Sequence, residues 1–333
     1  MKTKTVKKHQ KEMTTLIKDC IYKLITVSDI CLRFIDTFEF QRLRNIKQLG
    51  FVHYVYPSAV HTRFEHSLGV MHLAGVMVDN LRHTGVEITD REKDLVQIAG
   101  LLHDVGHLSS SHLIDYILEE ADVKSTHEDR SVAILYVIND RLHLLDAEET
   151  VAVDCMIHGV QFDSVMRMKK PFLFEIVSNS VSGLDVDRFD YLQRDAYHTG
   201  ISGFQPEYLM RCARVQDGHI VYLRKAYSEV VLLYEVRRRM FALVYRHKTV
   251  LMIEQVIRNC IAKMGIVEKW DNKMEMWLNL DDIELMSSLK KMPEFVETYT
   301  RSWERKEIEN KFEHCSSITD EDIAKKIAAV TFL

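Results

Sequence analysis

The chain has 333 residues, of which 47% are apolar and 28% charged, with a net charge of −5. That length suits one large domain or two small ones with a real core, and the charge gives no global reason to expect nucleic-acid binding. No apolar run approaches the roughly 20 residues that span a bilayer. The basic start MKTKTVKKHQKEM lacks the apolar stretch of a secretory signal, so a soluble intracellular protein, cytoplasmic or nuclear, is expected.

Residues 1–28 read as a basic N-terminal arm, residues 29–265 as the core, and residues 266–333 as a helical C-terminal extension. With only 4 prolines and 12 glycines, long uninterrupted helices are expected. Val70, Leu73, Ala74, Met77, Val78 and Leu81 follow the spacing of a buried helix face. Thr89 and Glu92 form a capping box for the next helix, whose apolar stripe is Leu95, Ile98, Ala99 and Leu102. Val181 to Gly200 reads as another helix. The Gln216-Asp217-Gly218 turn within Cys212–Lys225 predicts a β-hairpin. One or two long helices should fill Lys225–Met264, and helical patterning returns at 281–292, 294–312 and 320–332. The fold class is mainly α with a minor β-hairpin. The cysteines at 20, 31, 155, 212, 260 and 315 form no C-x-x-C pair and read as reduced packing residues.

The chemistry sits on three of these helices. His103 and Asp104 are adjacent at the end of a buried stripe, where an unpartnered pair would be costly. His66 precedes Val70 by one helical turn and points to the same interior. Asp187, Tyr191, Arg194, Asp195 and His198 share one helical face, which solvent exposure explains poorly. Any one of these histidines alone reads better as a hydrogen-bonded core residue. Together, His66, His103, Asp104 and Asp187 suit a divalent metal with mixed N/O ligands, such as Fe, Mn, Zn or Mg.

The segments FQRLRNIKQLG, HTRFEHSLGV, QIAGLLHDVGH, THE, EIVSNSVSGLDVDRFDYLQRD and YRHK, in that order, resemble the SAM-and-HD-domain deoxynucleoside triphosphate triphosphohydrolases. The resemblance runs from about Asp36 to Lys248 and implies an HD-domain helical core. Too few residues precede Asp36 for the SAM domain, which is expected to be absent. Water attack on the α-phosphorus of a dNTP is implied, releasing deoxynucleoside and tripolyphosphate, with a second Mg admitted on the substrate phosphates. Arg63, Arg188 (a lysine in the family) and Arg237 match phosphate-binding positions. His112 matches the proton donor to the 5′ oxygen, with Asp115 beside it and His127 as competing or assisting acid. Tyr191 and Asp195 match sugar contacts, Gln48 and Leu49 lie toward sugar and base, and Tyr245 matches a base-proximal tyrosine. Arg246 stands where the family has glutamine. Without the resemblance, Arg237 reads as a solvated helix residue and Asp115 as a surface carboxylate.

Asp36, Gln41 and Arg44 match residues that hold an activating guanine nucleotide, although an Asp/Gln/Arg trio is also a common surface pattern. The preceding KDCIYKLITVSD keeps Asp19 but lacks the family's following proline and histidine–glycine, so GTP or dNTP activation should be weak. A homo-oligomer, dimer or tetramer, is implied. Two other readings stay open: another HD-type nucleotide phosphohydrolase, and a nucleotide- or nucleic-acid-binding protein with incidental catalysis.

Overall fold

The computed structural model describes residues 14–160, 170–266, 274–300 and 318–333. It begins with a hairpin of β1 (Thr15–Asp19) and β2 (Lys23–Val27), then α1 (Asp29–Ile35), α2 (Phe38–Gln41), α3 (Arg63–His83), α4 (Asp90–Leu102), α5 (His112–Glu120), α6 (His127–Leu142) and α7 (Ala147–His158). Next come α8 (Val186–Thr199), α9 (Glu207–Arg211) and a hairpin of β3 (Ala213–Gln216) and β4 (His219–Tyr222). The remaining helices are α10 (Tyr227–Met240), α11 (Lys248–Met264), α12 (Met274–Asn279), α13 (Asp282–Leu289), α14 (Pro293–Thr300) and α15 (Asp320–Ala328). The fold is mainly α, and none of the described helices is long and apolar enough to cross a membrane.

α3 is the axis of the molecule. Its apolar positions fall on nearly every side, from Phe64 through Leu81, because α4 and α8 both pack along it. α4 begins at the Thr89–Glu92 capping box and in turn packs on α1 and α7. A second, smaller core joins Leu108, Leu113, Ile114 and Leu118 to Ile257 and Ile261 of α11 and to Trp277, Leu285 and Phe295. Helices α12–α14 of the expected extension are therefore packed against α5 and α11. The chain end returns too: Leu333 N donates to Tyr222 O (2.8 Å), adding a parallel bridge to β4.

Three local features differ from expectation. Of the stretch read as a basic arm, residues 15–27 form a hairpin in which Ile25 and Val27 are fully buried. No glycine marks its turn. Instead Asp19 Oδ1 accepts from the N–H groups of Ile21 and Tyr22 (both 2.8 Å), and Lys23 takes a φ of 66°. The expected Val181–Gly200 helix starts only at Val186, because Asp185 caps it by accepting from Arg188 N (2.9 Å). The Lys225–Met264 region breaks without glycine or proline through a π-helical turn at Phe241–Tyr245. The patterned stretches near the C-terminus contain α13, α14 and α15, while residues 301–317, and Cys315 with them, lie outside the described residues.

The loop between α4 and α5 leans directly on α6. Gly106 N donates to Ser131 Oγ (2.8 Å), and a Cβ at Gly106 would stand 2.3 Å from Ser131 N and 2.4 Å from His127 O. Both are backbone atoms, so Gly106→Ala must push α6 away. We expect a loss of about 1–3 kcal/mol in urea unfolding, with weaker metal binding because the loop carries Asp104. An unchanged unfolding midpoint would show that the loop and α6 are not rigidly seated.

Candidate metal centre

Two histidines enter the centre with one ring nitrogen already committed. His66, in the first turn of α3, uses Nδ1 toward Asp190 Oδ2 (2.8 Å). His103, the C-cap of α4, directs Nδ1 to Gly100 O (2.9 Å), and a carbonyl can only accept, so that nitrogen carries the hydrogen. Their Nε2 atoms then face each other at 3.3 Å. Asp187 Oδ1 lies 3.0 Å from His66 Nε2 and 3.4 Å from His103 Nε2. Asp104 sends one oxygen to each imidazole, both at 3.5 Å. His66, His103 and Asp104 are mutually close enough to share one ion, and Asp187 reaches both imidazole nitrogens from the open side, its side chain 34% exposed. The structure thus brings all four expected ligands together.

The electrostatics are those of a cation cage. Burial disfavours charge on His66, yet hydrogen bonds to Asp187 and Asp190 outweigh it and raise its pKa to about 10. Burial also opposes ionisation of Asp187 and Asp104, but the two histidines depress the first and Arg63 chiefly depresses the second. Two imidazole nitrogens 3.3 Å apart among carboxylates call for positive charge between them, which protons supply in the metal-free protein. A divalent metal answers that demand, and mixed N/O donors suit Fe, Mn, Zn or Mg.

Behind the cage stand residues that sequence reading missed. Asp190 is fully buried, accepts from Arg194 Nε (2.9 Å) and Nη2 (3.0 Å) and from Tyr22 Oη (2.8 Å), and is held near a pKa of about 2. Arg194 continues to Asp19 Oδ2 (2.9 Å), so the N-terminal hairpin buttresses the orientation of His66. The i, i+4 spacing of Asp190 and Arg194 was a readable signal. The hairpin's part in it, 168 residues away at Tyr22, was not. Gly69 makes room, since a Cβ there would fall 1.9 Å from Asp190 Oδ1. Two buried arginines hold the Asp104 loop from the other side: Arg42 Nη2 donates to Val105 O (2.8 Å) and His107 O (2.7 Å), and Arg130 Nε to Gly106 O (2.8 Å).

A second cluster adjoins the cage. His107, His112, Asp115 and His127 lie together, with the rings of His107 and His127 stacked at 4.0 Å. His107 Nε2 is 3.3 Å from Asp104 Oδ1 without hydrogen-bond alignment, so this histidine links the second cluster to the cage. Asp115 clusters with His112, and its ion pairs, to Arg130 and to His127 Nδ1 (3.6 Å), come from α6. Burial, then the charges of Arg63 and His127, lower His112 to about 4. The turn leading into α5 is strained, with φ of 60° at Ser110 and 53° at Ser111. Asp282 holds it, accepting from Ser109 Oγ (2.8 Å) and Ser110 N (2.9 Å).

The remaining expected residues divide into two places. Arg63 is buried and donates to Asp104 and to Ser111 Oγ (3.1 Å). Arg188 sits against Asp185 and Gly183 O, and its charge acts on Tyr191. Arg237 is not a solvated helix residue: its Nε is buried without a partner and its charge bears on Tyr191 and Tyr245. Tyr191 and Tyr245 meet edge to face at 6.4 Å. Asp195 is clamped between Tyr245 Oη (2.7 Å) and His61 Nε2 (2.8 Å), the latter another residue sequence reading missed. Gln48 is buried with Oε1 unpartnered, Leu49 packs on the core, and Arg246 is exposed. Asp36, Gln41 and Arg44 lie apart from the cage. There Gln41 bridges Ile35 O (2.9 Å) and Arg44 Nε (2.7 Å), and the Arg44 guanidinium covers the Phe64 ring at 3.5 Å.

Residues 63–195, which span both clusters, match the HD domain family. The chain is 35% identical over 284 residues to the deoxynucleoside triphosphate triphosphohydrolase SAMHD1 homolog of Dictyostelium discoideum, covering 82% of this chain and 54% of that protein. It is 36% identical over 307 residues to SAMHD1 of Homo sapiens, covering 82% and 49%. An HD domain-containing protein of Acanthamoeba polyphaga mimivirus is 31% identical over 306 residues, covering 85% and 66%. The chain spans about half the length of the SAMHD1 proteins it matches.

Two carboxylates three residues apart should respond oppositely to mutation. Asp187→Ala removes an accessible ligand but leaves His66 its Asp190 partner and both imidazoles the Asp104 oxygens, so metal content falls while the metal-free protein unfolds near its original urea midpoint. Asp190→Asn leaves Arg194 buried with part of its charge unmatched, so stability falls by about 3–5 kcal/mol and metal affinity by roughly 10–100-fold. Elemental analysis with urea titration checks both. Metal retained in Asp187→Ala would reject the ligand set.

Proposed function

From the premise that this chain carries an HD domain and is related to the SAMHD1 triphosphohydrolases, we propose that it is a metal-dependent hydrolase of deoxynucleoside triphosphates, cutting at the α-phosphorus. The observation that carries this reading is the pair of Nε2 atoms facing each other 3.3 Å apart between Asp104 and Asp187, with Arg63 paired to Asp104. His66, His103, Asp104 and Asp187 would hold the metal, which when bound acts as a Lewis acid and lowers the pKa of water. The donor set fits such an ion, because both imidazoles are fixed in the ligand tautomer by Asp190 and Gly100 O.

The protein's own groups supply the rest. Arg63, Arg188 and Arg237 bind and orient the triphosphate, and the buried Nε atoms of Arg188 and Arg237 that lack partners are suited to anionic oxygens. Water adds to the α-phosphorus as the bond to the 5′ oxygen breaks. His112 delivers the proton to that oxygen, with His127, backed by Asp115, beside it as the assisting acid. In the free protein Arg63 helps keep His112 neutral. Triphosphate would offset that charge and raise the imidazole toward the range a general acid needs. Tyr191, packed near Tyr245 and Asp195, takes the sugar and leaves no room for a 2′-hydroxyl. A second Mg on the phosphates, activation through Asp36, Gln41 and Arg44, and a homo-oligomer complete the proposal.

Hydrolysis of dATP in oxygen-18 water should yield deoxyadenosine and labelled tripolyphosphate. Pyrophosphate release, or label in the 5′-hydroxyl, would overturn the α-phosphorus assignment. No turnover of any dNTP by metal-loaded protein would instead favour a binding function.

Tyr191→Ala should narrow the dATP/ATP ratio in kcat/KM by roughly 10–200-fold, the range open to one packed side chain. An unchanged ratio would remove Tyr191 from sugar selection. The same assay with GTP should show weak dependence, and an absolute requirement would establish a working activator site.

A further inference from the structure

We propose that Cys20, Glu65 and His198 form a zinc site separate from the HD centre, joining the turn of the N-terminal hairpin to the first turn of α3 and the last turn of α8. A thiol, a carboxylate and an imidazole from these three elements bring their ligand atoms within 4.8 Å of one another. Cys20 Sγ lies 3.8 Å from His198 Nε2. Two such atoms on a tetrahedral zinc, with Zn–S near 2.3 Å and Zn–N near 2.0 Å, stand about 3.6 Å apart, so little movement would admit the ion.

The surroundings prepare the donors. His198 Nδ1 donates to Ser58 O (3.3 Å), which leaves Nε2 as a lone pair directed at the sulfur. The ring is also stacked on His61 at 4.2 Å, which fixes its plane. Arg194 Nη1 reaches Cys20 Sγ at 4.0 Å and favours the thiolate, whereas burial, Asp19 and Glu65 hold the thiol above its ordinary pKa, so an incoming metal must displace its proton. A cleft of about 290 Å3 adjoins the sulfur, lined by Cys20, Lys23, Gln193 and Tyr197 among others, and gives the fourth coordination position to water. Sulfur, imidazole and carboxylate donors suit zinc. The HD centre has no sulfur, so the two sites differ in kind.

Loading this site would clamp the turn that carries Asp19 and Tyr22, the residues that reach Arg194 and Asp190 behind His66. The inference does not rest on the proposed hydrolase activity, and its test does not use it. Metal-free protein is titrated with Co2+ alone and then with Zn2+ alone. The wild type should develop a sulfur-to-cobalt charge-transfer band that zinc abolishes, and elemental analysis should find one more zinc per chain than in Cys20→Ser. Cys20→Ser should lack the band and keep its HD-centre metal. Glu65→Gln and His198→Ala should weaken cobalt binding at the thiolate by at least about tenfold, as loss of one ligand implies. No band in the wild type would mean that Cys20 and His198 share only a thiol hydrogen bond. A band persisting in Cys20→Ser would place the metal on another cysteine. Either result overturns the proposal.

Discussion

Asp190 is the residue on which the centre turns. It is buried between a histidine and an arginine and accepts from both, with a tyrosine hydroxyl as a third donor. A lone carboxylate in that position would cost several kcal/mol, and so would Arg194 without it. Together they are tolerable because each satisfies the other in a bidentate contact. The arrangement is weak evidence for stability as such. Its effect is directional: it fixes the tautomer and tilt of His66, and it uses α8, α3 and the N-terminal hairpin to do so.

Around that fixed point the site has three sides of different character. The metal side is overdetermined, with carboxylates, imidazoles and two buried arginines bracing one short loop. The side proposed for phosphate carries cations whose hydrogen-bonding capacity is only partly used, at Arg188 and Arg237. The side proposed for the sugar is built from rings and hydrogen bonds, through Tyr191, Tyr245, Asp195 and His61. The π-helical turn at Phe241–Tyr245 is what brings the Tyr245 hydroxyl to Asp195, so an irregularity with no glycine or proline to announce it serves this contact.

That contrast explains what could be read from the residues alone. The proposed metal ligands were legible because each stands at a helical spacing that fixes its direction: His66 before Val70, His103 after Ala99, Asp187 leading a polar stripe. The β3–β4 hairpin was legible from Asp217-Gly218. The N-terminal hairpin was not, because Asp19 makes its turn with a side chain while Lys23 carries the positive φ. Asp115 clusters with His112 as its position suggested, but its ion pairs to Arg130 and His127 come from α6, which the chain order of α5 does not announce. Cys20 read as packing, and nothing in the chain order places Glu65 and His198 beside it as the fold does.

The spacing of these partners has a consequence for how the protein is made. His66 must wait for a carboxylate 124 positions further along, and Tyr22 for the same group 168 positions away. During synthesis the hairpin, α3 and α4 emerge first, carrying polar faces with no partner. Closure of those long loops comes only when α8 leaves the ribosome, which is a slow, non-local step. Until then the nascent chain holds His66 and the His103–Asp104 pair in an open site, where a metal caught early would itself act as the template on which α8 docks.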